Sequence, residues 1–207
     1  MTVRFGRDKR KKKRVGLLGG SFNPAHEGHR HVSLQAKRLL GLNEVWWLVS
    51  PLNPFKKAAD MADYETRLHN ARLAARSPHI VVSDFERAHG TRYTIDTVKK
   101  LLETYPDIDF VWLAGADILP EFHRWRRWRE IMSLLPLAVC ARKNYAVKAL
   151  HCKAARVYRR FRLPQKRAKA VFKARPPCWV FLDIRKNPVS STAVRQKTLK
   201  SVEKKNG

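Results

Sequence analysis

Two histidines three residues apart, His26 and His29, follow an apolar run and a glycine pair in GLLGGSFNPAHEGH, residues 16–29. On a helix this spacing puts both imidazoles on one face. Gly19 and Gly20 would let the backbone approach a ligand closely, and a helix starting here would point its positive end at an anion. The pair could bind phosphate, bind zinc or be surface histidines without a role. Zinc is disfavoured, because H-x-x-H lacks the H-E-x-x-H spacing and no third ligand stands nearby in the sequence.

A second set of phosphate-binding residue types lies in VSSTAVR, residues 189–195. Ser191 and Thr192 are residue types that begin helices, and Arg195 would fall within the first turn and a half. Backbone N–H groups, hydroxyls and a guanidinium at a helix start can converge on phosphate oxygens. Taken alone, this short segment is better explained as a helix cap followed by a solvated arginine.

Short apolar runs alternate with amphipathic helical patterns along the whole chain. The predicted strands are residues 15–18, 44–50, 79–86, 110–117, 136–142 and 178–184. The predicted helices are one that stops at Gly41, one at 62–77, one at 94–106 with Thr94 as N-cap, a tryptophan-bearing one at 122–131 and a closing one from about 190. Strands that are apolar throughout are buried on both faces, which predicts a doubly wound, Rossmann-like α/β fold with helices on both faces of a parallel sheet. Ligands are expected beyond the carboxyl ends of its strands.

The charge of the chain is extreme and unevenly distributed. Lys and Arg number 44 against 17 Asp and Glu, a net charge of +27 over 207 residues. Residues 4–14 carry eight bases and one acid, and residues 143–176 carry twelve bases and no acid. We predict a disordered basic tail over 1–14 and one domain over 15–207, with 143–176 as a variable basic segment. Such charge attracts polyanions, and the tail is expected to bind them weakly and without sequence preference.

The cysteines and the apolar runs indicate the cellular compartment of the protein. Cys140, Cys152 and Cys178 are widely spaced, with no C-x-x-C pair, which disfavours a zinc cluster and a disulfide framework. No run reaches the roughly 18 apolar residues of a membrane span. We therefore expect a cytoplasmic protein that does not bind membranes. Its oligomeric state is left open.

The two phosphate-binding segments together resemble one superfamily. GGSFNPAHEGH is similar to the G-x-F-x-P-x-H-x-G-H motif of the nucleotidyltransferases, and VSSTAVR is similar to their I-S-S-T-x-I-R element. The resemblance implies that His26, His29 and Arg195 are catalytic and contact the phosphates of ATP. It implies further ATP contacts from the following residues: Gly19, Gly20, Ser21, Phe22, Gly115, Asp117, Ser191 and Thr192.

Other segments resemble the bacterial nicotinate-mononucleotide adenylyltransferases. WLAGADIL, residues 112–119, resembles their G-x-D-x-L segment, so Gly115 and Asp117 would lie near the ribose, although Asp117 could equally cap the next helix. FHRWRRWREI, residues 122–131, resembles the helix on which that family stacks the pyridine ring. Trp125 is our choice for the stacking residue, and Trp128 could instead belong to the core.

The remaining matches concern the acceptor substrate. RYTIDTVKKL, residues 92–101, is similar to a family segment in which Tyr93, Thr94 and nearby amides would receive the nicotinate carboxylate. Lys56 in NPFKK aligns with a family lysine, although phenylalanine replaces the histidine of P-P-H-K. Arg142 resembles an arginine that follows the fifth strand and contacts phosphate.

The family resemblance implies adenylyl transfer from ATP, with Mg²⁺, to nicotinate mononucleotide, which gives deamido-NAD and pyrophosphate for NAD biosynthesis. Pantetheine-phosphate adenylyltransferase or another member with the H-x-G-H motif is the alternative enzyme. A basic nucleic-acid-binding module is the alternative that is not an enzyme. The preference between nicotinate and nicotinamide mononucleotide is open.

Overall fold

The computed structural model describes residues 12–51, 61–141 and 146–184. Its strands are β1 (Lys13–Gly20), β2 (Glu44–Val49), β3 (Ile80–Ser83), β4 (Ile108–Gly115), β5 (Leu137–Cys140), β6 (Arg162–Leu163) and β7 (Trp179–Leu182). Within these ranges the seven strands form one parallel sheet, in the order β3-β2-β1-β4-β5-β7-β6. The predicted Rossmann-like α/β fold is confirmed. Because β1 pairs with both β2 and β4, the strand order reverses there, and a ligand is expected at that crevice.

Helices cover both faces of the sheet. They are α1 (Glu27–Leu40), α2 (Tyr64–Ala75), α3 (Phe85–Ala88), α4 (Thr94–Thr104), α5 (Trp128–Leu134), α6 (Ala146–His151) and α7 (Lys153–Val157), with 3₁₀ helices at Phe122–Arg124, Arg159–Phe161 and Gln165–Phe172. One apolar layer holds α4, α5 and α7, and the other holds α1, α2 and the 3₁₀ helix 165–172. No helix in the described ranges is both long and apolar enough to cross a lipid bilayer.

Local signals set the bounds of the first helix. α1 begins after His26 and ends at Gly41, whose φ of 67° lies in the left-handed region that glycine adopts without strain. Val32, Ala36 and Leu40 form its buried stripe, as their spacing predicts.

Several predicted bounds are wrong, each for a local reason. The third strand ends at Ser83 rather than 86, because the amides of Arg87 and Ala88 turn back to the carbonyl of Asp84 and start α3. Tyr93, in extended conformation, is the N-cap of α4, so Thr94 is its first helical residue.

The tryptophan-bearing stretch 122–131 is not one helix. A 3₁₀ turn ends at Trp125, Arg127 adopts a φ of 53°, and α5 starts at Trp128. A left-handed residue cannot continue a right-handed helix, so the two tryptophans lie on separate elements.

Both basic segments contribute to the sheet. β1 starts at Lys13 instead of Val15, because Lys13 and Arg14 pair with the start of β4. These two residues, assigned to the tail by the sequence, are therefore part of the sheet, whereas residues 1–11 lie outside the described ranges. The segment 143–176 adds the short edge strand β6, for which the sequence showed no signal.

Candidate active site

The two histidines meet at the start of α1, directly beyond the carboxyl end of β1. The Nδ1 atom of His26 accepts a hydrogen bond from the amide of Gly28 at 3.0 Å. The amide of His26 in turn donates to Nδ1 of His29 at 3.2 Å, and the two ring centroids are 3.9 Å apart. Both rings therefore form the cap of the helix, and the predicted pair is brought together.

This cap determines which nitrogen of each ring carries hydrogen. A backbone N–H points at each Nδ1, so each Nδ1 is an acceptor, and a neutral imidazole then carries its hydrogen on Nε2. Protonation of either Nδ1 would break the cap. Since each Nδ1 accepts a backbone N–H, Nε2 is the ring atom of His26 and His29 that can carry a hydrogen and donate it to a phosphate oxygen at this helix N-terminus.

Phe22, Trp47 and Ser33 pack against the turn that carries the two histidines. Phe22, buried at a φ of 46°, packs its ring on Trp47 at 5.0 Å and on His29 at 4.9 Å. The indole Nε1 of Trp47 donates to Ser33 Oγ at 2.8 Å, and Ser33 Oγ donates to the carbonyl of His29 at 2.8 Å. A bulky residue at positive φ is strained, so this packing has to hold Phe22 in place.

A buried arginine joins the loops that leave β1 and β2. The guanidinium of Arg67, 2% exposed, donates to the carbonyl oxygens of Ser21 and Ser50 at 2.8 Å each. It also donates to the carbonyls of Pro51 and Ala62 at 3.0 Å each. Burial lowers the pKa of Arg67 from its ordinary value. The four carbonyls compensate its charge in part, and the hydrogen bonds tie the turn after β1 to the loop after β2.

A cavity of about 570 Å³, which we call the site cavity, opens beside the glycine pair at the same sheet edge. This volume is typical of sites for small ligands. Its walls are Gly19, Gly20, Ser50, Glu86, Arg92, Tyr93, Thr94, Trp112, Asp117, Ile118, Glu121, Arg124, Trp125 and Arg126. A Cβ on Gly19 would lie 2.9 Å from the ring of Trp112, so a larger residue would displace that wall.

The structure separates the roles available to the two tryptophans. Trp125 lines the site cavity, half-buried, with its ring 5.1 Å from Phe122 and edge-on to Trp112 at 6.2 Å. Trp128 is not among the cavity walls, and it packs edge-on to Tyr158 at 5.6 Å and to Phe122 at 6.2 Å. Of the two, Trp125 is the one placed to stack on a ligand.

Glu86 is a buried carboxylate in the wall of the site cavity that sequence reasoning missed. Its carboxylate accepts a hydrogen bond from Thr97 Oγ1 at 3.2 Å and another from Ser50. Burial raises the pKa of Glu86 to about 7 despite these hydrogen bonds, which favour the charged form. Glu86 therefore changes charge near neutral pH inside the cavity.

The predicted site residues divide into three groups. Gly19, Gly20, Tyr93, Thr94, Asp117 and Trp125 line the site cavity. Ser21, Phe22, His26 and His29 form the adjoining turn, and Gly115 ends β4 beside it. The other predicted residues lie outside the described ranges: Lys56, Arg142, Ser191, Thr192 and Arg195. That residues 16–29 and 189–195 bind the same ATP phosphates therefore stays a prediction.

Signals for the missed residues were present but weak. Arg67 lies four residues before the buried Ala71, so the two side chains share one face of α2. This spacing was the signal that Arg67 points toward the core and not into solvent. Trp47 is one of two adjacent tryptophans in a strand, and alternation puts one of them on each face of the sheet. Glu86 lacked a signal, because its burial depends on the unpredicted helix α3.

A metal site built from protein ligands is absent from the described part of the chain. No group of three or more His, Cys, Asp or Glu side chains in these ranges could hold a metal ion.

Comparison with known proteins places this chain in a family. Residues 17–197 match the model of the cytidylyltransferase-like family, and the chain belongs to this family. A Methylorubrum extorquens protein named "Probable nicotinate-nucleotide adenylyltransferase" is 46% identical over 182 residues, which cover 88% of this chain and 98% of the relative. A Parvibaculum lavamentivorans protein of the same name is 47% identical over 184 residues, 89% of this chain and 92% of the relative.

Solved structures show the same fold. The Plasmodium falciparum nicotinic acid mononucleotide adenylyltransferase complexed with NaAD superposes with a TM-score of 0.63 at 18% identity, covering 89% of this chain and 83% of that one. The same enzyme complexed with APC gives 0.62 at 17% identity, with the same coverage. At this identity the likeness concerns the fold.

Proposed function

We propose that this protein transfers the adenylyl group of ATP to nicotinate mononucleotide, producing deamido-NAD and pyrophosphate. The observation that carries the proposal is the pair of imidazoles at the start of α1, whose Nδ1 atoms accept backbone N–H groups, beside a cavity of about 570 Å³ with an aromatic wall. The relatives that are 46% and 47% identical carry the name of this activity.

In the reaction an oxygen of the acceptor's phosphate attacks the α-phosphorus of ATP in line. A new phosphorus–oxygen bond forms, the bond from the α-phosphorus to the bridging oxygen breaks, and pyrophosphate leaves with that electron pair. The attacking phosphate is already anionic, so the protein need not remove a proton. Its contribution is positioning and stabilisation of charge.

The turn after β1 is the proposed ATP phosphate site. His26 and His29 donate their Nε2–H groups to the α- and β-phosphates, and the backbone of Ser21 and Phe22 belongs to the same turn. From the far end of the chain, Ser191, Thr192 and Arg195 are proposed to contact the triphosphate, and Gly115 and Asp117 the ribose.

Magnesium is proposed to enter as the complex with ATP. Since the described residues hold no cluster of metal ligands, the phosphate oxygens would supply most of its coordination, as is common for Mg²⁺. When bound, it neutralises charge that develops on the leaving pyrophosphate.

The acceptor is proposed to lie in the site cavity. Trp125 stacks on the pyridine ring, and Tyr93 with Thr94 presents the first amides of α4 to the nicotinate carboxylate. Lys56 and Arg142 are proposed to contact the acceptor's phosphate.

Incubation of the purified protein with ATP, Mg²⁺ and one acceptor at a time tests this function. Nicotinate mononucleotide, nicotinamide mononucleotide and phosphopantetheine are the acceptors, and mass spectrometry identifies the products. We expect deamido-NAD and pyrophosphate. Dephospho-coenzyme A as the main product would support the pantetheine-phosphate activity instead, and no product with any acceptor would contradict an adenylyltransferase.

We also infer that the basic N-terminal segment binds polyanions weakly, in a cytoplasmic protein whose three thiols are free. The test is a deletion that stops before the sheet. Since β1 starts at Lys13, residues 1–11 are removed and Lys12 is kept. The truncated protein should bind a single-stranded oligonucleotide more weakly than the parent and keep adenylyl transfer, and unchanged affinity would contradict the inference.

A further inference from the structure

A second cavity, of about 1130 Å³, lies between α1 and the 3₁₀ helix Gln165–Phe172. We call it the basic groove. Its cationic wall residues are Arg14, Arg38, Lys166, Arg167, Lys169 and Lys173, and the other described residues that line it are uncharged.

These cations have no acidic partners in the described part of the chain. The ion pairs there involve other bases, namely Lys13, Arg30, Arg87, Lys99, Lys100 and Arg127. Asp109 is the register partner of Arg14 in β4, but it forms no ion pair with it within those ranges. The sequence from 131 to 182 contains no acid. Asp183 follows this stretch and donates its amide to Oε1 of Gln165 in the groove wall at 2.6 Å, but within the described ranges it forms no ion pair with these cations. Like charges around a concave surface focus a field that favours an anion.

The basic groove is remote from the proposed reaction. Arg38 lies in the last turn of α1, and His26 caps its first turn. Twelve residues of helix separate the two by roughly 18 Å. Arg14 belongs to the amino end of β1, whereas the site cavity is at the carboxyl end. An anion in the groove would thus not be the reacting triphosphate.

The lining indicates which polyanion fits. The exposed large apolar side chains of the described residues are Leu73, Val81, Ile118, Val157 and Phe161, and none of them lines the groove, which disfavours insertion into a membrane. The guanidinium of Arg14 lies over the ring of Phe172 at 4.9 Å, so an aromatic side chain borders the cations. A cationic groove between two helices suits a flexible chain of phosphates better than a rigid duplex.

We propose that the basic groove binds single-stranded nucleic acid, through its phosphate backbone and without sequence preference. This site is separate from the N-terminal segment and does not depend on the adenylyl transfer proposed above.

The test is a charge-matched pair of quadruple variants of the full chain. The groove variant is Lys166→Gln, Arg167→Gln, Lys169→Gln and Lys173→Gln, all exposed side chains. Arg14 and Arg38 are left intact, because they belong to β1 and α1. The control variant is Lys153→Gln, Arg156→Gln, Arg159→Gln and Arg160→Gln, exposed cations beside α7 on the other face of the sheet. Both variants lose the same charge, so total charge is held equal between them.

Fluorescence anisotropy of a labelled single-stranded oligoribonucleotide is measured for each protein over a range of salt concentrations. We expect the groove variant to bind about 100-fold more weakly than the parent at 0.1 M salt, with a salt slope shallower by about 3, since each lost phosphate contact removes roughly 0.7 from it. The control variant should lose much less. Adenylyl transfer should be unchanged in both.

Three outcomes would overturn the proposal. Equal losses in the two variants would show that net charge, and not the groove, determines binding. Tighter binding of a duplex of the same length would contradict the fit to a single strand. Loss of binding to anionic phospholipid vesicles, with binding to the oligoribonucleotide unchanged, would assign the groove to a membrane surface.

Discussion

The site cavity and the basic groove show two ways in which this protein presents charge. The site cavity has acidic and basic walls in balance, with Glu86, Asp117 and Glu121 against Arg92, Arg124 and Arg126, and an aromatic wall at Trp125. The basic groove has cations and no acids among its described walls. Balanced charge and a shaped wall discriminate between ligands, whereas uniform charge attracts any polyanion. The first region is therefore expected to be sensitive to single substitutions, and the second only to several together.

The largest expected effect is that of His29→Ala. Loss of one charge-stabilising donor lowers kcat by about 10²- to 10³-fold in comparable sites. Steady-state kinetics with ATP and nicotinate mononucleotide measure it, and His69→Ala, an exposed histidine of α2, is the control. Turnover near that of the parent would remove His29 from the site.

A companion variant separates chemistry from folding. His26→Asn retains an N-cap acceptor for the amide of Gly28 but lacks the imidazole Nε2–H. We expect a melting temperature close to that of the parent together with a strongly reduced kcat. A large drop in melting temperature would mean that His26 acts mainly as a cap.

Arg67→Met is expected to destabilise the protein by about 2 to 4 kcal/mol, since it takes the Arg67 donor away from the carbonyls of Ser21 and Ser50 in the loops that leave β1 and β2. Urea unfolding measures the change, and Arg72→Met, exposed on the same helix, should alter stability by less than about 0.5 kcal/mol. Equal stability of the two variants would contradict the role given to the Arg67 contacts.

Glu86→Gln tests whether the buried carboxylate in the wall of the site cavity makes the stability of the protein depend on pH. The pKa of Glu86 is raised from 4.5 to about 7, so the folded state resists ionisation that the unfolded chain undergoes. The parent should therefore lose stability as pH rises from about 4.5 to 7, by about 3 kcal/mol in all, and no more above that range. The variant lacks this loss, so its free energy of unfolding relative to that of the parent should be higher at pH 8 than at pH 4.5. A difference from the parent that stays constant with pH would contradict the raised pKa.

Trp125→Ala should have the smallest of these effects. Stacking on a base is worth about 1 to 3 kcal/mol, so the KM for the pyridine nucleotide should rise about tenfold or more with little change in the KM for ATP. Trp128→Ala should lower stability without a selective change in KM, because Trp128 packs against Tyr158 outside the cavity. If only the ATP constant moved in Trp125→Ala, the stacking assignment would be wrong.

Much of the site cavity could be predicted because its signals are short in range. The glycine pair, the helix that stops at Gly41 and the apolar strands depend on residues within a few positions of each other, and the structure confirms them. The break at Arg127 and the helix α3 were not predicted, because neither the tryptophan-bearing stretch nor the apolar run before Phe85 contains a glycine or proline to mark the end.

The sequence by itself determined the class of fold and the imidazole pair, since periodicity, glycine and capping act within a turn or two of chain. Only the tertiary structure decided that both Nδ1 atoms serve the cap, that Arg67 and Glu86 are buried, and that cations from β1, α1 and the 3₁₀ helix 165–172 share one groove. Burial and charge clustering depend on which distant segments pack together. A residue's type cannot show the dielectric or the neighbours that folding gives it.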